Sequence, residues 1–408
     1  MTTPIGTSTS PVSPGPVGPV VYQVTVNGAV VTDFILDVEI MQTWGYHDMV
    51  ILRIEYNRAI NMGAIAPWAD NAPVQVVWGR QPQTLITWYG YVNHHKLSTT
   101  ADSGTNNLQY TYYCIGTSKP MNTVSSKVWG SVTPTYIAQQ MAAKYRLRCV
   151  VSSTSWTLTN EIQASETDFS YMNRIAAKTG YRFWVGGGTM YFIDPAVVLI
   201  ATATQLVPNY YMYKRLDWQD TIRDFQKYQG DNLPGSLVAT RNLYGIDPVT
   251  GQFFTATSGT VGTGAFVQTN TVRTATSLAD AQSHVNAWQA LSQWWIAGTA
   301  ELFGTTLIYP GKVVHLQGDA MPSEDSGFWI VGSARQLLKM SGTSAVTADK
   351  YVTQVSVLRN TTAAIPYQTA QQITPEFVSM SLSGTTWVSS DTSVVADNTN
   401  VLPGSRGG

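Results

Sequence analysis

Residues Ser165–Asp194, SETDFSYMNRIAAKTGYRFWVGGGTMYFID, carry the reading that decides the fold. They predict one helix followed by one hairpin. Ser165 stands where a side-chain cap is wanted, and Glu166 and Asp168 fall in the first turn, at the positive end of the helix dipole. Phe169, Met172 and Ala176 recur at i, i+3 and i+7, while Ser170, Arg174 and Lys178 fall on the opposite side. Gly180 suits a left-handed C-cap. Two aromatic-rich runs, 181–185 and 189–193, flank Gly186, Gly187 and Gly188, which turn a hairpin at no steric cost. Nothing in the unit is chemical; it reads as architecture.

Outward from that unit the chain returns to a period of two. On its N-terminal side, Val21 to about Thr117 alternates through Tyr22, Val24 and Val26, turns at Asn27-Gly28, and continues through Val50, Leu52, Ile54 and Tyr56. The runs VQVVWGR (74–80) and TLITWYGYV (84–92) follow, then Tyr110, Tyr112 and Cys114. Strands at this spacing predict a small antiparallel barrel or sandwich. Residues 118–205 form a small α/β domain in which Thr133-Pro134 starts a helix and Ile137, Met141 and Tyr145 mark its stripe.

A second β region spans 206–360. It opens on an untidy strand-like run, RLDWQDTIRDFQKYQG (215–230), and carries a Gly/Thr/Asn-rich excursion at about 231–270, expected to be an exposed hairpin or long loop. Ser277 caps a helix beginning at Leu278, and Pro310-Gly311 fits a type II turn. Tyr351, Thr353, Val355 and Val357 share a face of the last strand. Residues 1–20 read as a flexible Pro/Ser/Thr-rich N-terminal arm and 361–408 as a C-terminal extension. The expected fold is mainly β with an α+β insert: two small antiparallel, tube-like β-barrel domains bracketing the small α/β domain.

Three stretches resemble one family. The TDF, NRIA, GYRFWV, GG and YF elements of the opening stretch are similar to a pattern in baseplate hub proteins of tailed phages, in the late control protein D family and in the hub part of type VI secretion spikes. The Gly-aromatic hairpin at 74–92 resembles one in that family's first barrel. PGKVVHL (310–316), GFWIV (327–331) and Y-V-T with Arg359 (351–359) resemble its closing motifs, although Arg335-Gln336 stands near where the family commonly has a histidine. The resemblance implies a structural virion protein of the tail tip or baseplate, assembled in the host cytoplasm. It implies a homotrimeric ring that adapts a six-fold tail tube to a three-fold tip and lets DNA pass at ejection. Its implied partners are a tail tube or distal tail protein, a central spike or fibre protein, and the tape-measure protein.

Composition agrees with an assembly role. The chain of 408 residues is 44% hydrophobic and 12% charged, against about 25% charged for ordinary soluble proteins. Interface cores are poor in charge and rich in aromatics. The net charge of −1 gives no capture of nucleic acid, so sequence-specific readout is not expected. The start of the chain lacks the basic and apolar regions of a signal peptide, and no run reaches the ~18 apolar residues of a membrane anchor.

Chemistry-bearing residues are sparse. His47, His94, His95, His284 and His315 form no metal-ligand spacing, and His94 and His95 are adjacent on a strand-like run, so they face opposite ways. The Gly186–Gly188 run lacks the lysine of a phosphate loop. Glu324-Asp325 and Asp217 with Asp220 are the candidate hydrolase carboxylates, which need to stand about 5 to 10 Å apart; no cleft is implied beside them. No GxSxG elbow occurs. No catalytic, cofactor-binding or metal residue is therefore assigned, and no enzyme or cofactor is expected. Trp44, Trp68, Trp78, Trp88 and Trp129 crowd the first third of the chain and fit a core, an interface or a sugar platform. Cys114 and Cys149 read as two free thiols, with a disulfide left open. Two rival functions remain: a receptor- or carbohydrate-binding tail protein, marked by an exposed aromatic platform, and a tail-associated cell-wall hydrolase, marked by convergent carboxylates.

Overall fold

The computed structural model describes residues 19–32, 35–55, 68–80, 85–102, 105–195, 210–213, 221–229, 238–246, 250–259, 266–271, 277–292, 294, 296–318, 321–322, 325–339, 350–359 and 378–396. The N-terminal arm up to 18, Asp217, Asp220 and Glu324 lie outside the described residues.

The first β region comprises β1 (Val20–Val26), β2 (Ala29–Val30), β3 (Ile35–Thr43), β4 (Met49–Glu55), β5 (Pro73–Arg80), β6 (Ile86–Asp102) and β7 (Thr105–Gly116). Asn27 and Gly28 have φ of 50° and 79°, the two positive values a type I′ hairpin turn requires. The strands run antiparallel in the order β3-β4-β7-β6-β5-β1-β2. The sheet curls so that Tyr22, Val24, Val38, Ile40, Leu52, Val76, Trp78, Trp88 and Tyr112 enclose one core. Gly90 is required by packing: a Cβ there would lie 2.2 Å from the Trp88 ring and 2.4 Å from the Ile115 carbonyl oxygen.

The α/β unit contains β8 (Val124–Val132), α1 (Pro134–Lys144), β9 (Arg148–Val151), β10 (Leu158–Thr167), α2 (Asp168–Thr179), β11 (Arg182–Gly186) and β12 (Thr189–Ile193). Thr133 caps α1 by accepting from the Tyr136 amide, with Pro134 at the first helical position. The cap of α2 is Thr167, whose hydroxyl accepts from the Ser170 amide. Ser165 cannot do this, because β10 continues to Thr167 in pairing with β8. Gly180 ends α2 in the left-handed conformation, φ 78°. The β11–β12 turn is tighter than a three-glycine loop, since Gly186 already pairs with Thr189.

β12 shows why this unit holds the molecule together. Met190 and Phe192 pack against Ile137, Met141, Met172 and Ile175 of the two helices. Tyr191 and Ile193, on the alternate face, pack with Val313, Phe328 and Ile330 of the second β region.

That second region comprises β13 (Tyr210–Tyr213), β14 (Ile222–Gln229), β15 (Val238–Ile246), β16 (Phe253–Gly259), β17 (Phe266–Thr271), α3 (Leu278–Ser292), β18 (Ile296–Phe303), β19 (Val313–Gln317), β20 (Gly327–Lys339) and β21 (Lys350–Arg359). Strands β14-β18-β21-β20 continue directly into β3 of the first region, giving one 13-stranded sheet that also includes β13 and β19. The turn at Pro310-Gly311 is of the expected kind, with Gly311 at φ 86° and the Lys312 amide donating to the Tyr309 carbonyl at 3.2 Å. The excursion is more than a hairpin: β15 and β16 pair antiparallel as one, and β17 adds a third strand. It is a three-stranded sheet, β16-β15-β17, with its own core of Leu243, Ala256, Ala281 and Val285 under α3.

The segment after 377 is also more than an extension. A hairpin, β22 (Met380–Ser383) and β23 (Thr386–Ser389), precedes β24 (Val394–Ala396), which pairs parallel to β9. Trp387 is buried, donating its amide to Tyr91 Oη at 2.7 Å and its Nε1 to the Gly90 carbonyl at 2.8 Å.

Candidate assembly site

The feature that sets the geometry of this chain is the seam between its two β regions. β20 pairs along one edge with β21. Along the other edge it pairs first with β19 over Gly327–Leu316 partners and then with β3, from Ser333↔Thr43 to Lys339↔Asp37. The change of partner falls at a register shift between Val331 and Ser333 on the β21 side, where the Gly332 carbonyl accepts the Trp44 amide at 3.2 Å. A bulge of this kind bends a strand and re-aims it.

Both faces of the seam are tied. Beneath it, Leu338, Tyr309 and Tyr351 of the second region enter the core of the first. Above it, Arg335 Nε donates to Glu39 Oε1 at 2.6 Å, and Arg53 bridges Asp37 at 2.6 Å and Glu39 at 3.7 Å. The row continues across the second region: Arg335 donates to Gln354 Oε1 at 3.2 Å, and Gln354 donates to Glu301 Oε2 at 3.1 Å. A shallow polar groove lined by Asp224, Thr299, Glu301, Ser333, Arg335, Gln354 and Ser356 lies along this row. Arg335, at the position noted for its departure from the family pattern, is thus a seam residue.

The remaining motif residues have packing roles. Arg359 is fully buried, with its guanidinium 4.2 Å over the Trp329 ring and Nη1 donating to the Ser326 carbonyl at 3.2 Å. Thr353 accepts the Thr305 amide at 3.0 Å and donates to Gln336 Oε1 at 2.6 Å. In the opening stretch, Asp168 is fully buried and accepts from Lys144, Ser125, Tyr145 and Gln163. Burial opposes its charge, but these four donors outweigh it and hold the carboxyl below the ordinary value. Lys178, expected on an exposed face, is buried between Glu161 at 3.2 Å and Asp280 at 2.8 Å, because β10 and α3 cover that side of α2.

Among the described residues, no constellation of catalytic geometry forms around the five histidines or Asp325. Burial lowers the pKa of His47, against its bond to Asn122; Nε2 lies 2.9 Å from Asn122 Oδ1 and Nδ1 lies 2.7 Å from the Ser118 hydroxyl. His94 stacks on Tyr113, His95 meets Tyr110 and Tyr112, and His315 meets Phe328 edge-on. His284 sits beside Lys178 and Asp280 on α3, its pKa lowered to about 4 by burial first and Lys178 second. Among the described residues no group of three or more His, Cys, Asp and Glu could hold a metal ion. Asp325 pairs with Lys227. Trp68, Trp78, Trp88 and Trp129 are buried and Trp44 is half-buried against Trp184, so these five form core rather than a sugar platform. Cys114 and Cys149 are free, each in a different core, with burial pushing both thiols up to about 12.

Asp48 escaped the sequence reading. Its carboxyl is wholly buried beside Gly186, and Oδ2 accepts from Gln42 Nε2 at 3.3 Å. Burial pushes its pKa up to about 8, with the Gln42 bond opposing, so it holds its proton at neutral pH.

The architecture now has counterparts among solved structures. A tail protein of Neisseria meningitidis MC58 superposes over 86% of this chain and 99% of its own length, with a TM-score of 0.60 at 15% identity. The fold is that of phage tail proteins. The 43 kDa tail protein of prophage MuSo2 from Shewanella oneidensis covers 84% of this chain and 98% of its own, with a TM-score of 0.57 at 12% identity. A chain of a PdpA–VgrG complex in its lidless form matches 88% of this chain and 66% of its own, with a TM-score of 0.50 at 8% identity. No protein-family model matches the sequence, and no curated protein matches it.

Proposed function

We propose that this chain is a structural, non-enzymatic hub of a phage tail tip or baseplate. Three copies would close a ring around a channel, meet a tail tube or distal tail protein on one side, and hold a spike or fibre on the other. The tape-measure protein would end at the same ring, and DNA would cross the channel without being read.

The observation that carries this reading is the β20–β3 seam. It sets two β regions side by side in one sheet, so a trimer carries them around its axis as alternating units and can match a six-fold tube to a three-fold tip. The shared fold of the tail proteins supports the same role.

The test is negative-stain imaging of the purified chain. Rings of three-fold symmetry with a central opening are expected; compact particles without an opening would contradict the reading. A zymogram on cell-wall substrate should show no lysis band, and a clear band would return the hydrolase reading.

A further inference from the structure

The excursion and α3 form a module of their own. Among the described residues its three strands pair with one another and lie outside the 13-stranded sheet. Ala281 and Val285 of α3 enter the module's core with Leu243 and Ala256, and Trp288 packs against it. Arg241 of β15 fastens the same side of the helix, donating to Gln289 Oε1 at 2.9 Å and lying 4.5 Å over the Trp288 ring. The other side of α3 carries Asp280, His284 and Ala287, spaced i, i+4 and i+7. That side docks on α2.

The docking contact is built from buried charge. Lys178 lies between Glu161 Oε2 at 3.2 Å and Asp280 Oδ1 at 2.8 Å, and both Lys178 and Asp280 are buried. The backbones approach closely beside them: a Cβ at Gly180 would lie 3.1 Å from Ala287 Cα. His284 sits among these charges. Lys178 and Arg174 face it from α2 and Asp280 from its own helix, while Glu161 and Glu166 of β10 hold the two cations. Arg241 is on the far side of α3. The ring Nε2 of His284 is buried with no hydrogen-bond partner among the described residues. A protonated ring would therefore face two cations and present an N–H with no acceptor.

We propose that this contact is an acid-released latch: uptake of a proton by His284 parts α3 from α2 and frees the module from the α/β unit, while the 13-stranded sheet stays closed. Burial first and Lys178 second lower the docked pKa of His284 to about 4, with Asp280 opposing, against the ordinary 6.5. The released ring, exposed to water, takes its proton at the ordinary value. Docking is thus at full strength above about pH 6.5 and weakens as pH falls from there towards about 4. The loss is about tenfold in the docking equilibrium for each pH unit. Titration across this range is what suits histidine to interface switches.

The test is carboxyl footprinting of the full-length chain with a water-soluble carbodiimide and glycine ethyl ester, read by peptide mass spectrometry between pH 7 and 4.5. Asp280 reports the latch, exposed Asp70 sets the reference, and Asp48, buried at the β11 turn, reports opening of the whole fold. Labelling of Asp280 relative to Asp70 is expected to rise about tenfold for each pH unit below 6.5, with Asp48 unlabelled. His284→Gln should abolish the rise. A flat ratio in the wild type would overturn the latch, and that series decides alone if the variant does not fold. An equal rise in His284→Gln would also overturn it, by assigning release to the carboxylates themselves. So would a rise that Asp48 shares, since the whole fold would then be opening.

Discussion

Arg335 and Glu39 are 296 positions apart, yet Arg335 Nε donates to Glu39 Oε1 at 2.6 Å across the strand pair that joins the two β regions. The Arg335 side chain is nearly half exposed, so the ion pair marks the seam more than it stabilises it. Arg335→Ala is expected to cost about 0.5–1 kcal/mol. Leu338, fully buried beneath the same seam, is the stronger contact: Leu338→Ala should cost about 2–5 kcal/mol. Denaturant titrations of the two variants compare them directly, and equal losses would contradict this ordering.

Asp48 predicts an unusual pH dependence. Its folded pKa of about 8 lies above the ordinary 3.8, so the folded state holds a proton that the unfolded state releases. Stability therefore falls as pH rises from about 4 to 8, by up to about 1.4 kcal/mol per pH unit from this group. Asp48→Asn should flatten that slope in denaturant titrations across the range.

Asp168 predicts the opposite sign. Its folded pKa is depressed, so its contribution is present above the ordinary carboxylate value and is lost as pH falls through the folded one. Asp168→Ala strands Tyr145, Gln163 and Ser125 without their acceptor and should cost about 1–3 kcal/mol. Stability that falls with acid as steeply in that variant as in the wild type would contradict the assignment.

Much of the local structure was legible because it rests on neighbours in sequence. Asn27-Gly28, Thr133-Pro134, Gly180, Ser277 and Pro310-Gly311 each act within a few residues, and each forms the turn or cap its chemistry requires. The β20–β3 pairing was not legible: alternation shows that a strand is half-buried, not which distant edge it meets. Lys178 reads as a surface residue until Glu161 and Asp280 arrive from other elements. The excursion and the last strands are rich in Thr, Ser and Gly, a composition that suits loops as well as short sheets, so only α3 and β9 reveal their order.

The C-terminal hairpin makes a further prediction. Trp387 is buried against Tyr89 and bonded to Gly90 and Tyr91. Trp387→Ala should cost about 3–5 kcal/mol and expose the segment after 377 to protease while strands β3 to β7 stay as resistant as in the wild type. Limited proteolysis with mass spectrometry reads both; uniform digestion along the chain would contradict a locally clamped segment.

Light scattering on the purified chain tests the central claim most directly. Each chain has a mass of 44.6 kDa, and the account predicts a species of three such masses that persists on dilution into the micromolar range. A monomer at every concentration, and still a monomer when mixed with its tail-tube partner, would contradict the ring.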